Sequence, residues 1–156
     1  MKRLLSLILL LCLSLTLTSC TPKQSKAPFP RSLPQTLLDA EVFSEPLEPL
    51  DSEIVWMLYG LEETDLTPEQ LTEAVAHRSS GATCEELVLL TFFDETAAQT
   101  AYEALGLYVT AQILSNKDYR PAEVPKLENA ILEQRGTTVL LAVANDYEAA
   151  GKLLAP

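Results

Sequence analysis

The hydrophobic pattern of this chain predicts four strands in its second half. Continuous apolar runs at residues 87–93 and 139–144 are typical of central strands that are buried on both faces. Shorter apolar runs at 74–77 and 130–132 precede them and are typical of edge strands. A glycine-containing turn separates the two runs of each pair, so the pattern indicates two hairpins.

Each pair of runs is followed by an aspartate and then by apolar residues at helical spacing. Asp94 precedes such a pattern as far as Ile113, and Asp146 precedes a shorter one at 149–154. An offset of 52 residues places Asp94 on Asp146, which predicts a pseudo-repeat of two ββα units. Side by side, the two units make an α+β domain with a four-stranded, mainly antiparallel sheet and two helices packed on one face.

The region before the repeats is less regular. Apolar residues at helical spacing predict a helix over residues 52–61, which would cover the opposite face of the sheet. Residues 67–70 form a capping box with proline at the first helical position, and this predicts a short helix to about residue 73. Residues 36–50 are interrupted by two prolines, and only a loose or short element is predicted there.

The N-terminus has the three parts of a secretory signal. Lys2 and Arg3 precede an apolar run over residues 4–17, which is shorter than the roughly 20 residues of a membrane-spanning helix. The sequence LTSC that ends at Cys20 resembles the lipobox of bacterial lipoproteins. That resemblance implies a signal peptide over residues 1–19 and a lipid anchor on Cys20, which holds the chain on the extracytoplasmic face of the bacterial plasma membrane. The alternative is an ordinary secretory signal in which Cys20 is incidental.

Charge is segregated by sign along the rest of the chain. Net charge over the whole sequence is -11, and residues 39–156 carry 22 acids against 6 cations. Such a surface repels phosphate backbones and excludes nucleic acid as a partner. Residues 20–35 carry four prolines, three cations and no acid, and they are predicted to be an extended basic tether. A single domain would then occupy residues 36–156, with the tether either attracted to anionic lipid or serving only as a linker.

The sequence indicates no catalytic residue, metal site or cofactor. Cys84 is the one cysteine outside the signal and the lipobox, which excludes a disulfide framework and favours a buried, unreactive thiol. His77 is the only histidine, and no cluster of metal-ligating residues surrounds it in the sequence. Glu85 and Glu86 are adjacent carboxylates, but in a chain so rich in acids the default interpretation is a solvated surface pair.

One segment combines both charges, an aromatic ring and a proline. Asp118, Tyr119, Arg120 and Pro121 form a candidate binding loop, because such a group can recognise a partner or a polar ligand. The alternative is a structural loop in which Tyr119 packs its ring over the core and Pro121 begins a helical turn.

Several segments together resemble a family of small lipoproteins of Gram-positive anaerobes, catalogued as domain of unknown function 4358. The resemblance covers residues 54–154 and rests on the order of MLYGLEETDLTPEQL, SSGATCEELVLLTFFDETAA, NKDYRPAEVPKLENAIL and RGTTVLLAVANDYEAA. It implies the location and the fold. It implies no activity and no catalytic residue.

These observations favour a lipid-anchored, non-enzymatic binding or interaction module whose partners are the membrane, through Cys20, and an unknown protein or cell-envelope component. A small cell-envelope hydrolase that uses acidic residues is the alternative, although the sequence offers no identifiable acid and base pair for it. A two-lobed solute receptor needs more chain than follows Cys20.

Overall fold

The computed structural model describes residues 26–81 and 83–154 of the chain. This part contains five α-helices and five strands. The helices are α1 (Leu33–Asp39), α2 (Ser52–Leu58), α3 (Glu95–Tyr119), α4 (Val124–Glu128) and α5 (Tyr147–Leu153). The strands are β1 (Glu48–Pro49), β2 (Leu71–Arg78), β3 (Glu86–Phe92), β4 (Ile131–Arg135) and β5 (Thr138–Val143). The α+β class is confirmed. The predicted signal peptide and Cys20 lie outside the described residues.

All five strands form one open antiparallel sheet in the order β1-β2-β3-β5-β4. The two predicted hairpins are β2–β3 and β4–β5, and they meet through β3 and β5 in the centre. Every residue of β5 is buried, as is every residue of β3 except Thr91. The continuous apolar runs therefore are the central strands, because both of their faces are covered.

The prediction of four strands was wrong by one, because β1 precedes the repeats. Glu48 lies opposite Arg78 and Pro49 opposite His77, and the amide of Leu50 donates to the carbonyl of Ala76 at 2.9 Å. A two-residue strand with a proline carries no alternating pattern, and proline cannot donate to a neighbouring strand. Its place at the edge of the sheet follows from that missing donor.

Equivalent aspartates start the helix of each repeat, as predicted. The Asp94 carboxylate accepts a hydrogen bond from the amide of Ala97 at 2.8 Å, and Asp146 accepts one from Ala149 at 2.9 Å. Each side chain satisfies an amide that has no partner within its helix.

The two repeat helices lie on opposite faces of the sheet, so the prediction of one shared face was wrong. The reason is the register between β3 and β5, in which Val88 faces Leu141 and Leu89 faces Leu140. Under the 52-residue offset Val88 corresponds to Leu140, which points to the other face of the sheet. The chain therefore leaves the two central strands toward different sides.

Two separate cores result. Helices α2 and α3 cover one face, where Val55, Tyr59 and Leu105 pack with the inward side chains of β3 and β5. Helices α1 and α5 cover the other face through Leu37 and Ala150. The predicted helix at 52–61 exists as α2, but it shares a face with α3.

The capping box at residues 67–70 starts only one 3-10 turn, Pro68–Gln70, so the helix predicted to residue 73 was wrong. The Gln70 side chain accepts from the amide of Thr67 at 2.8 Å, as a capping box requires. Strand β2 begins at Leu71, which pairs with Phe92. Pairing with β3 gives the backbone amides and carbonyls of this segment the hydrogen bonds that a longer helix would have given them.

The packed part of the chain begins before residue 36, within the segment predicted to be an extended tether. Phe29 and Leu33 are buried in the core under α1 and α5. The ammonium of Lys26 lies 2.6 Å from Glu133, and the guanidinium of Arg31 lies 2.8 Å from Glu73. These two cations therefore contact carboxylates of the domain, and apolar anchors hold the segment between them.

Gly136 permits this docking. Its φ of 53° lies in the left-handed region that the tight β4–β5 turn requires. A Cβ at this position would also lie 3.1 Å from the Pro28 ring, so the N-terminal segment occupies the space that a side chain at position 136 would need.

We expect Leu89→Ala and Leu141→Ala each to lower the free energy of unfolding by about 2 to 5 kcal/mol, because each leaves a cavity in a different core. Leu89 and Leu141 are buried on opposite faces of the sheet, whereas Leu153 is 42% exposed and serves as the matched control. Denaturant unfolding of the full chain, with and without reductant, measures the change. Losses below that range at both buried positions would contradict their central packing.

Candidate functional site

Two adjacent carboxylates are buried where β3 begins. Glu85 and Glu86 are 0% and 1% exposed, so their interpretation as a solvated surface pair was wrong. Neighbouring residues of an extended chain point to opposite sides, which gives each carboxylate its own set of partners. A carboxylate out of water is costly unless donors surround it, and both have them.

Glu86 lies beneath α2 and α3 and accepts hydrogen bonds from two tyrosines. The hydroxyls of Tyr59, at the end of α2, and Tyr108, in the middle of α3, each lie 3.0 Å from its Oε2. The two rings meet edge to face with centroids 4.8 Å apart. The Arg78 Nε lies 3.8 Å from the same oxygen. One carboxylate thus connects two helices and a neighbouring strand.

Burial raises the pKa of Glu86 to about 7, against an ordinary value of 4.5. The charge of Arg78 and the two tyrosine hydrogen bonds act in the opposite direction, and desolvation outweighs them. Burial, with the nearby Glu86 carboxylate, also raises the pKa of Tyr59 and of Tyr108, so both phenols keep their protons.

Glu85 binds a different set of groups. It accepts from the amide of Ser44 at 2.7 Å and from the Ser44 hydroxyl, and the ammonium of Lys126 lies 2.7 Å away. Lys126 also pairs with Glu123 at 3.2 Å. Although burial alone lowers the pKa of Lys126, its hydrogen bonds to Glu85 and Glu123 raise it above the ordinary value. Glu85 thus connects the segment before β1 with helix α4.

Acceptors on other segments hold the loop between β2 and β3. The Glu45 carboxylate accepts from the Ser79 hydroxyl and from the Thr83 hydroxyl at 2.7 Å, and chiefly the Ser79 hydrogen bond lowers the pKa of Glu45. The amide of Cys84 donates to Glu123 at 2.9 Å. The Cys84 thiol is buried, as predicted, and burial raises its pKa, which disfavours the nucleophilic thiolate.

The first half of the candidate binding loop at 118–121 belongs to the end of α3. Asp118 and Tyr119 lie in its last turn and are exposed, so the alternative with the Tyr119 ring over the core was wrong. The Arg120 side chain instead contacts the fold, through the Asn116 side chain at 2.8 Å and the Thr83 carbonyl at 3.2 Å. Pro121 begins a 3-10 turn. A role of this segment in binding stays a prediction.

A groove of about 490 Å³ runs between α2 and α3, directly above the Glu86 cluster. Tyr59 and Tyr108 are among the residues around it, and their hydroxyls donate to Glu86 beneath. Met57 and Leu107 line it as well and are 57% and 73% exposed. The residues around the groove are Met57, Leu58, Tyr59, Gly60, Glu63, Thr64, Thr100, Glu103, Ala104, Leu107, Tyr108 and Ala111.

The sequence carries a signal for this groove. Leu107 and Leu114 are seven residues apart on α3 and lie off the stripe that Ala101, Leu105 and Tyr108 bury. A second hollow of about 390 Å³ adjoins the groove at Met57 and is lined by Trp56 and Leu71. Both helices therefore carry some apolar side chains on their outer surfaces, Met57 on α2 and Leu107 and Leu114 on α3.

Among residues 26–81 and 83–154 no cluster of three or more His, Cys, Asp or Glu side chains is placed to hold a metal ion. His77 is half-buried, its Nδ1 contacts no donor or acceptor of the described chain, and burial lowers its pKa. None of the helices in the described residues is both long and apolar enough to cross a membrane.

Comparison with known proteins gives one match. The family model described as Domain of unknown function (DUF4358) matches residues 41–144, a range that holds both buried carboxylates and the groove. No curated protein and no solved structure matches the chain.

We expect the stability of the folded chain to fall as pH rises from about 4.5 to about 7, because folded Glu86 holds its proton more tightly than unfolded Glu86. The full effect is on the order of 3 kcal/mol. The lowered pKa of His77 acts in the opposite sense below about pH 6.5, and the lowered pKa values of Glu45 and Glu133 do so below about pH 4.5. Denaturant midpoints of wild type and Glu86→Gln across this range measure the difference between them.

The exposed Glu148→Gln should keep the wild-type pH dependence, whereas Glu86→Gln should lose most of it. Parallel curves for wild type and Glu86→Gln would show that the Glu86 carboxyl titrates as an ordinary exposed group does.

Proposed function

We propose, for a chain that belongs to the DUF4358 family of domains of unknown function, that it is a lipid-anchored extracytoplasmic interaction module which binds a partner in the groove between α2 and α3. The groove is the single observation that carries the binding role. Its walls present exposed Met57 and Leu107, and its volume of about 490 Å³ falls within the range of ligand-binding clefts. Apolar side chains held outward at the surface of a small domain favour an interaction site.

The polar groups below the groove favour binding over catalysis. A general acid or base must come within hydrogen-bond reach of the substrate. The Glu86 carboxylate is 1% exposed and already accepts from Tyr59 and Tyr108, so the rings separate it from the groove. Glu85 is equally buried and holds Lys126. These contacts give both carboxylates a structural role, and this weakens the alternative of a hydrolase that uses acidic residues.

The location rests on the N-terminal sequence. The LTSC sequence that ends at Cys20 and the short apolar run before it support cleavage and lipidation at Cys20. A lipid anchor supplies membrane attachment without a spanning helix. The acidic domain would then stand off an anionic bilayer, since like charges repel across the first Debye length.

Cys20→Ser is expected to abolish acylation and leave the precursor uncleaved by the lipoprotein peptidase, because the thiol that carries the lipid is gone. Intact-mass measurement of the membrane fraction decides between the forms. A wild-type mature chain that begins at any other residue, or that lacks acyl mass, would rule out the anchor.

A photocrosslinking side chain at position 107 should form a discrete adduct in intact cells, since Leu107 lies on the wall of the groove. The same side chain at position 153, which is exposed but belongs to α5, is the matched control. Met57→Gln on the opposite wall should weaken the adduct at 107, because it removes apolar contact from the same groove.

A third crosslinker at position 119 tests the end of α3 as the binding surface. An adduct at 119 without one at 107 would move the binding surface out of the groove. Equal adducts at 107 and 153 would show contact without specificity, which contradicts a dedicated module.

A further inference from the structure

We propose that the occupant of the groove is a cationic amphipathic α-helix of a partner protein, about four turns long. This inference rests on the proposed function, because it names the partner chemistry of the same groove. It is carried by the arrangement of apolar and acidic side chains along α3 and α2.

The outer surface of α3 carries a stripe of matching length and charge. Leu107 and Leu114 are 73% and 62% exposed, and Ala111 lies between them on the same side of the helix. Glu103 precedes this apolar segment by one turn and Asp118 follows it by one turn, and both are exposed. At about 1.5 Å per residue the distance from Glu103 to Asp118 is about 22 Å. The stripe is therefore apolar in the middle with a carboxylate one turn beyond each end, and because exposed Lys117 lies beside Asp118, its net acidic end is the one at Glu103.

The facing wall repeats the pattern. Met57 on α2 lines the groove and is 57% exposed, and Ile54, one turn earlier on α2, is 43% exposed but lies outside the lining. Glu63 lies just beyond α2, and Glu63 and Glu103 are the charged residues that line the groove. Both walls therefore combine outward apolar side chains with carboxylates, and no lysine or arginine is among the lining residues.

A helix with one apolar stripe matches both walls at once. Its apolar side chains would fill the space between Met57 and Leu107, as helix ridges pack into grooves. Its flanking lysines or arginines would reach the carboxylates at the rim. An anionic lipid surface has the wrong charge for this rim. An acidic peptide would place like charges opposite each other, which disfavours binding.

Three synthetic peptides of 18 residues test the proposal. The first contains leucine and lysine, with the leucines at i, i+3, i+4 and i+7. The second has the same composition in an order that gives no apolar face, and the third has glutamate in place of lysine. The full chain is reconstituted in vesicles of phosphatidylcholine, whose zero net charge limits attraction of the peptides, and protein-free vesicles serve as the blank.

The chain has a single tryptophan, Trp56, which lines the hollow adjoining the groove at Met57. Its emission therefore reports occupation of the groove by peptides that contain no tryptophan.

The leucine and lysine helix should change Trp56 emission saturably and bind at least about tenfold more tightly than either other peptide, with an affinity that falls as salt is added. Leu107→Gln should weaken this binding by about tenfold or more, whereas Leu153→Gln on α5 should not. Glu103→Lys should weaken it several-fold and reduce its salt dependence, with Glu148→Lys as the matched control.

Equal binding of the glutamate peptide would overturn the cationic chemistry. Equal binding of the reordered peptide, or an unchanged affinity in Leu107→Gln, would overturn an amphipathic helix in the groove. Failure of all three peptides would overturn the proposed occupant, and a crosslink confined to position 107 in cells would then still support the binding function. If the first peptide binds tightly but no crosslink forms at position 107 in intact cells, the result would instead count against binding of a partner in the groove in cells.

Discussion

The burial of two neighbouring carboxylates at the start of β3 determines how the segments around them are arranged. Charged and polar groups that leave water need close partners, and the partners of Glu85 and Glu86 come from distant parts of the chain. Ser44 and Lys126 each lie 41 residues from Glu85. Tyr59 and Tyr108 bring α2 and α3 to Glu86. Both tyrosines also lie among the residues around the groove. The same hydrogen bonds that satisfy Glu86 therefore fix two residues of the groove's lining.

Local patterns predicted the parts of the fold that local physics controls. The central strands and the helix starts at Asp94 and Asp146 could be read from the sequence, because continuous apolar runs and capping side chains are short-range signals. The faces on which α3 and α5 lie could not be read in this way. They depend on the register between β3 and β5, which is a pairing between residues about 50 positions apart.

The site was harder to predict than the fold for a related reason. In a sequence with 22 acids nothing distinguishes Glu85 and Glu86 from solvated carboxylates, since their donors are distant in the chain. Strand β1 was missed because two residues that include Pro49 have no periodicity. The apolar positions of α3 could be read from the sequence, but the groove could not. Its second wall comes from α2, and the pattern of one helix does not show which element lies beside it.

For a chain anchored at Cys20 as proposed, the packing of the N-terminal segment would limit how far the domain can travel from the membrane. Lys26 contacts Glu133 and Phe29 is buried, so with a lipid on Cys20 only the six backbone steps from Cys20 to Lys26 connect the bilayer to the fold. At full extension these steps span at most about 22 Å. With that proposed anchor, a tether of this length would confine the domain to a thin layer at the membrane, where a partner on the same membrane would have an effective concentration in the millimolar range. At that concentration a contact with a dissociation constant of tens of micromolar would be almost saturated, so the proposed binding in the groove would need only modest affinity.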